Sequence, residues 1–98
     1  MNLKLKIYYL LIWEKIREAW VLPSIAPGDE DLEAIIAIKV QKDGEIIKID
    51  YERRSQNSHF DESALRAIKR ANPLPPIPPE YQGNSLELGI RFHPFESS

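Results

Sequence analysis

The chain has 98 residues, with 13 lysines and arginines against 15 acidic residues, and it contains no cysteine. A chain of this length supports one domain that buries on the order of 65% of its unfolded surface, which leaves no room for a second core. The formal net charge of -2 gives no general attraction to nucleic acid or anionic lipid. The absence of cysteine excludes a disulfide framework, a thiolate metal site and a cysteine nucleophile.

The first segment has the periodicity of a helix. Between Leu3 and Trp20 the apolar residues recur at spacings of three and four, and they share one helical face: Tyr9, Ile12, Trp13, Ile16, Ala19 and Trp20. Pro23 ends this pattern, so we predict a leading helix over residues 1–22. Residues 3–7 also alternate, which leaves a strand as the alternative there. The apolar run 7–13 is shorter than the roughly 18 residues that span a bilayer, and charged residues follow it where a signal peptide would be cleaved.

The middle of the chain has the pattern of a β-hairpin over residues 32–53. From Leu32 to Gln41 alternate residues are apolar and predict one buried face: Leu32, Ala34, Ile36, Ile38 and Val40. Asp43 and Gly44 form a dipeptide that favours a tight turn. In the following strand Ile47, Ile49 and Tyr51 share the apolar face.

The last third of the chain predicts a helix, a stiff connector and a strand. Ser58 and Asp61 resemble a capping box, and a buried stripe follows for a helix over residues 59–72: Phe60, Ala64, Ala67, Ile68 and Ala71. Residues 73–80 are rich in proline and predict an extended connector, with a ligand for aromatic-grooved domains as the alternative for its PxxP spacings. A strand follows over residues 85–94, with its apolar residues facing inward: Leu86, Leu88, Ile90 and Phe92.

This order of elements predicts a two-layer α+β fold with the order α-β-β-α-β. Because the hairpin is antiparallel and a crossover helix returns the third strand, that strand can lie beside the first. We therefore predict a three-stranded antiparallel sheet in the order 2-1-3, with two helices on one face. The third strand is then an exposed edge.

An exposed edge strand can take up a further strand from another chain. We predict that this edge binds a partner through the residues of the third strand: Ser85, Leu86, Glu87, Leu88, Gly89, Ile90, Arg91, Phe92 and His93. The alternative is an edge that charge and proline protect from pairing. Trp13 and Trp20 are interpreted as core residues, with an aromatic recognition surface as the alternative.

The sequence offers no catalytic group. His59 and His93 have no second ligand at metal-binding spacing, and Asp61 is better explained by helix capping than by acid-base chemistry. A phosphate-binding glycine loop and a nucleophile with a base partner are also absent. We therefore predict a docking module that is not an enzyme and that uses neither a metal nor a cofactor.

The arrangement of motifs resembles the C-terminal domain of the TonB/TolA family. The resemblance covers nearly the whole chain: the leading helix with Tyr9, Ile12, Ile16, Trp20 and Pro23, the Asp43-Gly44 turn, the helix with Phe60, Asp61, Ala64, Leu65, Ala67 and Ile68, the prolines Pro73, Pro75 and Pro76, and the closing Leu88, Ile90, Phe92 and Pro94. The connector and the leading helix look more like the TolA branch. The family commonly has glycine between the serine and asparagine that precede the second helix, whereas this chain has Gln56.

The resemblance implies a periplasmic domain of an energy transducer that is anchored in the inner membrane. Such a domain binds segments of outer-membrane receptors or envelope lipoproteins by strand addition, while upstream regions contact motor proteins of the inner membrane. On this reading the chain is a domain separated from its anchor and spacer. The alternative is a structural homodimer that pairs through the edge strand or the first helix.

Overall fold

The computed structural model describes residues 3–94, which form two helices and three strands. In chain order these are α1 (Leu3–Ala19), β1 (Ala34–Gln41), β2 (Ile46–Arg53), α2 (Ser58–Ala71) and β3 (Ser85–Phe92). The first two positions of the predicted leading helix and residues 95–98 lie outside the described residues. Residues 3–7 are helical, so the alternative of a strand there is wrong. Neither α1 nor α2 has the length and apolarity that crossing a bilayer requires.

The strands form one open antiparallel sheet in the order β2-β1-β3. This arrangement confirms the predicted α+β fold and strand order. β1 lies in the middle, and its buried residues alternate with half-exposed ones, so only one face of the sheet is covered. The pairing of β1 with β3 runs without a register shift from Ala34 opposite Phe92 to Gln41 opposite Ser85.

The core lies between the covered face of the sheet and the two helices. Its centre is aromatic: the Trp20 ring lies edge-on to Phe60 and Phe92, with ring centroids 5.9 and 5.1 Å away. Every described element contributes buried apolar side chains, and so does the proline connector: Tyr8, Ile12, Ile16, Ala34, Ile36, Ile38, Val40, Ile46, Ala64, Ala67, Ile68, Ala71, Leu74, Ile77, Leu86 and Ile90. All of the stripe predicted for the second helix is buried.

β2 departs from the predicted alternation at one residue. Ile47 was predicted to face the core, yet 50% of its surface is exposed. The pairing explains this, because Lys39 lies opposite Lys48 and Val40 lies opposite Ile46, which leaves Ile47 as an extra residue in β2. A bulge of this kind turns the side chain out of the ladder. Ile46 takes the buried place beside Val40.

The buried face of α1 is rotated relative to the predicted one. Tyr8, Ile12 and Ile16 are its buried residues, while the predicted Tyr9 and Trp13 are only partly buried. The rotation has a tertiary cause: α1 packs against the proline connector as well as the sheet, and the Tyr8 hydroxyl donates a 2.7 Å hydrogen bond to the Pro75 carbonyl. The helix ends at Ala19, before the predicted residue 22, and Trp20 then enters the core.

Burial of Tyr8 predicts that the stability of the domain falls with rising pH in the alkaline range. Burial raises the pKa of the Tyr8 hydroxyl to about 12, above the value of about 10 expected in the unfolded chain. Because the folded state favours the neutral hydroxyl, this contribution is complete below pH 10 and is lost as the pH rises toward 12. We expect Tyr8→Phe to lose less unfolding free energy between pH 10 and 12 than the parent chain. Urea unfolding at several pH values measures this, and parallel pH curves for the two proteins would contradict it.

The start of α2 is capped by Asn57 rather than by Ser58. The Asn57 side chain accepts a 3.1 Å hydrogen bond from the backbone N–H of Phe60, and Ser58 is the first helical residue. The buried Asp61 carboxylate reaches back and accepts a 2.9 Å hydrogen bond from the backbone N–H of Ser55. Gln56, between these two contacts, has a left-handed backbone with φ of 75°.

Replacing Gln56 by glycine is expected to stabilise the domain. A left-handed backbone destabilises a residue with a Cβ by roughly 1–2 kcal/mol, and glycine would relieve this strain. Part of the gain in stability is offset because glycine has more conformational freedom to lose from the unfolded chain. We expect Gln56→Gly to raise the unfolding free energy by about 0.5–1 kcal/mol, measured by urea unfolding. Gln82→Gly is the control, since Gln82 is exposed and has no positive φ. This variant should be less stable than the parent domain, because glycine relieves no strain there. A loss of equal size in both variants would contradict the prediction.

The proline connector is tied to the hairpin turn. The backbone N–H of Leu74 donates to the Gly44 carbonyl at 2.8 Å, and that of Ile77 donates to the Lys42 carbonyl at 2.9 Å. Gly44 has a φ of 95°, and a Cβ there would lie 1.9 Å from the Leu74 carbonyl oxygen, so only glycine fits. These contacts determine where the chain enters β3.

Candidate functional site

The predicted binding residues lie on one outer strand of the sheet. Residues 85–92 form β3 and pair with β1 along the whole strand, whereas His93 lies one residue beyond it. Within residues 3–94 no strand pairs with the other side of β3. In an antiparallel ladder only alternate residues direct their N–H and C=O groups at a given neighbour, so the remaining groups of β3 face away from β1.

The two faces of β3 differ in chemistry. Leu86, Ile90 and Phe92 are buried against the helices, and Leu88 is half-buried. On the opposite face Glu87, Gly89 and Arg91 are exposed. A strand laid along this edge would place alternate side chains against an apolar layer and against a polar surface.

A groove runs between the exposed edge of β3 and helix α1. Its volume is about 390 Å³, and it is lined by residues of both elements: Tyr9, Ile12, Trp13, Leu88, Gly89, Ile90 and Arg91. Tyr9 and Trp13 are partly buried and form the helical side, and the Trp13 ring also packs edge-on to Phe92 with centroids 5.7 Å apart. Trp13 therefore both supports the core and lines the groove.

The contribution of α1 to this site was missed by sequence reasoning. Helical spacing places Tyr9 and Trp13 on one face, but it does not identify the strand beside that face. The available signal was the aromatic content of the helix, because partly exposed Tyr and Trp are typical of binding surfaces. Trp20 is a core residue, as interpreted, whereas Trp13 both packs against Phe92 and lines the groove, so the alternative of an aromatic recognition surface at Trp13 stays a prediction.

The other outer strand, β2, is a poorer template for strand addition. Its pairing with β1 shifts at two places, which leaves Ile47 and Glu52 as extra residues. Bulges twist an edge away from a flat ladder, and the exposed charges of Lys48 and Asp50 further disfavour an added strand. β3 is regular over all of its pairs with β1. The structure therefore offers one regular edge and one interrupted edge.

An acidic side chain at the end of the sheet pairs with an arginine of each outer strand. The Glu33 carboxylate lies 3.1 Å from the Arg53 guanidinium of β2 and 3.2 Å from that of Arg91 in β3. Because all three side chains reach solvent, this pairing contributes little stability, on the order of 0–1 kcal/mol. Its effect is on position, since it draws Arg91 toward Glu33.

Asp61 and its neighbour Glu62 have structural partners. Asp61, the possible acid-base residue, is buried and accepts its hydrogen bond from Ser55, while Glu62 pairs with Arg66 one turn along α2. Burial is the main cause that raises the pKa of Tyr51, whose hydroxyl donates to the Asp61 carbonyl at 2.8 Å. Within residues 3–94 no group of three or more histidine, aspartate or glutamate side chains is placed to hold a metal ion.

Comparison with known proteins gives one family and two solved structures of similar fold. The family profile described as TonB C terminal matches residues 5–92. The C-terminal domain of TonB from Helicobacter pylori, solved by NMR, has a TM-score of 0.69 at 23% identity over 89% of this chain and 78% of that one. TolAIII bound to a peptide derived from the N-terminus of TolB has a TM-score of 0.67 at 24% identity over 86% and 69%. No match was found among curated proteins.

At these identities the two solved structures show a shared fold, whereas the family profile covers all five elements of the chain. The profile begins inside α1 and ends at the last residue of β3, so it includes both sides of the groove. The chain therefore belongs to the TonB C-terminal family.

Proposed function

We propose that this chain is the docking domain of a TonB/TolA-type energy transducer and that it binds extended peptide segments by strand addition to β3. One observation carries the proposal: β3 is a regular edge with a groove between it and α1. Exposed backbone groups supply hydrogen bonds to an added strand, and the groove accepts its alternate side chains. The similarity in fold to TolAIII, solved with a TolB-derived peptide, supports peptide docking.

The partners that we propose are outer-membrane receptors or envelope proteins with an accessible extended segment. The proposed location is the periplasm, in a protein anchored to the inner membrane and coupled there to motor proteins. These assignments rest on membership of the TonB C-terminal family. Main-chain hydrogen bonds to β3 would supply the affinity for the partner segment through which force is transmitted.

The test is an amide chemical-shift titration of the labelled domain with short peptides from envelope proteins of the same genome. We expect shifts in β3 and at Tyr9 and Trp13, with the amides of β2 unchanged. A backbone block is best placed on the peptide, because Ile90 is only 8% exposed and a proline there would also disturb the core. Two peptides are needed, one methylated at the backbone nitrogens of odd-numbered residues and the other at those of even-numbered residues. Binding should be abolished in the peptide whose methylated nitrogens face β3 and retained in the other. Equal binding by both methylated peptides would contradict strand addition.

A second candidate function is homodimerisation through α1. Four large apolar residues of this helix are exposed, with Leu3 at 70%, Ile7 at 48%, Leu10 at 67% and Leu11 at 46%. Two such helices pairing would cover these residues. Sedimentation equilibrium over a hundredfold concentration range tests this, with Leu10→Glu as the disrupting variant. A constant monomer mass would exclude the dimer and leave the docking proposal unchanged.

A further inference from the structure

Gly89 lies in the middle of β3, where the fold gives no reason for a glycine. Its backbone is not left-handed, and a Cβ there would meet only Ile35 Cγ2, at an ordinary contact distance of 3.7 Å. Glycine weakens a strand relative to residues with a side chain, and an isolated one often marks a bulge, a bend, or close approach by a ligand or another backbone. The pairing of β3 with β1 has no register shift, so Gly89 does not lie in a bulge. The contacts of Gly89 within residues 3–94 would therefore tolerate a larger residue.

The missing side chain leaves an apolar notch on the outer face of the sheet. Gly89 lies opposite Ala37 of β1, with Ile35 beside it, and these three positions interrupt a charged surface. A residue that pairs with Gly89 on an added strand would have its Cβ on the same face, about 5 Å from the position that a Cβ of residue 89 would occupy. A flat, large side chain would cover the notch, which is how aromatic residues compensate for glycine in sheets.

The neighbouring residues of the added strand would point to the opposite face. The residues opposite Leu88 and Ile90 would enter the groove beside Tyr9 and Trp13. These four groove side chains are apolar or aromatic. An apolar residue therefore fits on each side of the aromatic one.

Charge adds a further requirement next to the notch. Glu87 is exposed on the outer face, where Lys39 of β1 lies opposite it, but its carboxylate forms no ion pair within the described part of the chain. Arg91, on the other side of Gly89, lies 3.2 Å from the Glu33 carboxylate. A basic residue opposite Glu87 would thus gain an ion pair, whereas an acidic residue opposite Arg91 would compete with Glu33.

We propose that the segment bound at β3 places an apolar, an aromatic, an apolar and a basic residue opposite Ile90, Gly89, Leu88 and Glu87, in that order. The segment reads in this order from its N-terminus if it runs antiparallel to β3, and in the reverse order if it runs parallel. The inference rests on the proposed function of strand addition. It adds a recognition pattern, with Gly89 as a specificity-determining residue.

Three blocked peptides with the cores VFVK, VAVK and VFVE test the pattern for an antiparallel strand, and the same three cores in reverse order test it for a parallel strand. We expect the aromatic peptide VFVK to bind about tenfold more tightly than VAVK, as measured by calorimetry. In Gly89→Val the notch is filled, so this preference should disappear while the amide spectrum stays that of a folded domain. VFVE should bind more weakly than VFVK, and more salt should narrow that difference.

The outcomes separate this inference from the function on which it rests. Equal binding by VFVK and VAVK, with amide shifts along β3, would overturn the recognition pattern and leave strand addition intact. An aromatic preference that survives in Gly89→Val would also overturn it, because the notch would not be its cause. Failure of all the peptides, including the genomic ones, to shift β3 amides would overturn both proposals.

Discussion

Replacing Phe92 by alanine is expected to lower the free energy of unfolding by about 3–5 kcal/mol. Phe92 is fully buried at the last position of β3, and the rings of Trp13 and Trp20 lie edge-on to it with centroids 5.7 and 5.1 Å away. Alanine would remove the apolar surface and both ring contacts and leave a cavity between α1 and the sheet. A domain of this size has a total stability on the order of 5–15 kcal/mol, so the variant would be marginally folded.

Urea unfolding followed by circular dichroism and tryptophan fluorescence measures the loss. Phe92→Leu keeps most of the volume and should lose less than about 2 kcal/mol. Val21→Ala is the surface control, since Val21 is 67% exposed and should change stability by less than about 0.5 kcal/mol. If Phe92→Ala lost no more than Val21→Ala, the aromatic cluster would not be the main link between α1 and the sheet.

The fold was predictable because its signals are local. Residues 34–40 are apolar except for Lys39, which is typical of a strand in the middle of a sheet, and Asp43 and Gly44 set the turn that makes the hairpin antiparallel. From there the crossover helix leaves few places for the third strand. The strand order therefore followed from chain geometry without knowledge of any particular contact.

The errors arose where a tertiary contact decides the outcome. Ile47 follows the apolar alternation, but a bulge in the pairing with β1 turns it outward. Tyr8 adjoins the predicted helical face and becomes buried because the proline connector packs there. Asn57 is the cap of α2 although Ser58 is an equally good capping residue type, because the Ser55–Asp61 hydrogen bond shapes the loop before it.

The candidate site was half predictable for the same reason. An edge strand follows from topology, so residues 85–92 were accessible to sequence reasoning. The groove needs the rotation of α1 about its axis, which depends on contacts at Tyr8 and Trp20 that no periodicity specifies. Trp20 donates a 3.0 Å hydrogen bond from its ring nitrogen to the Ser63 hydroxyl, and this anchors the end of α1 against α2. The same packing that stabilises the core therefore shapes the groove.

Replacing Trp13 by alanine is expected to weaken peptide binding about thirtyfold or more, which corresponds to about 2 kcal/mol of a binding hot spot. Trp13 forms the helical side of the groove opposite Leu88 and Ile90, so its removal would leave the inward side chains of a bound strand exposed to water. The loss of the partial burial of Trp13 and of its ring contact with Phe92 would together cost about 2–3 kcal/mol of stability, which leaves a domain with a total stability on the order of 5–15 kcal/mol folded. Titration of any peptide that shifts the β3 amides of the parent domain measures the effect.

Leu10→Ala is the matched control for this variant. Leu10 lies on the same helix, is 67% exposed and does not line the groove, so its loss should leave the affinity unchanged. Trp13→Phe keeps an aromatic ring there and should recover most of the binding. Equal weakening by Leu10→Ala and Trp13→Ala would place the peptide elsewhere on α1. Full affinity in Trp13→Ala would contradict a role of the groove in binding, because Trp13 forms much of its helical side. The backbone groups of β3 would then bind the peptide alone.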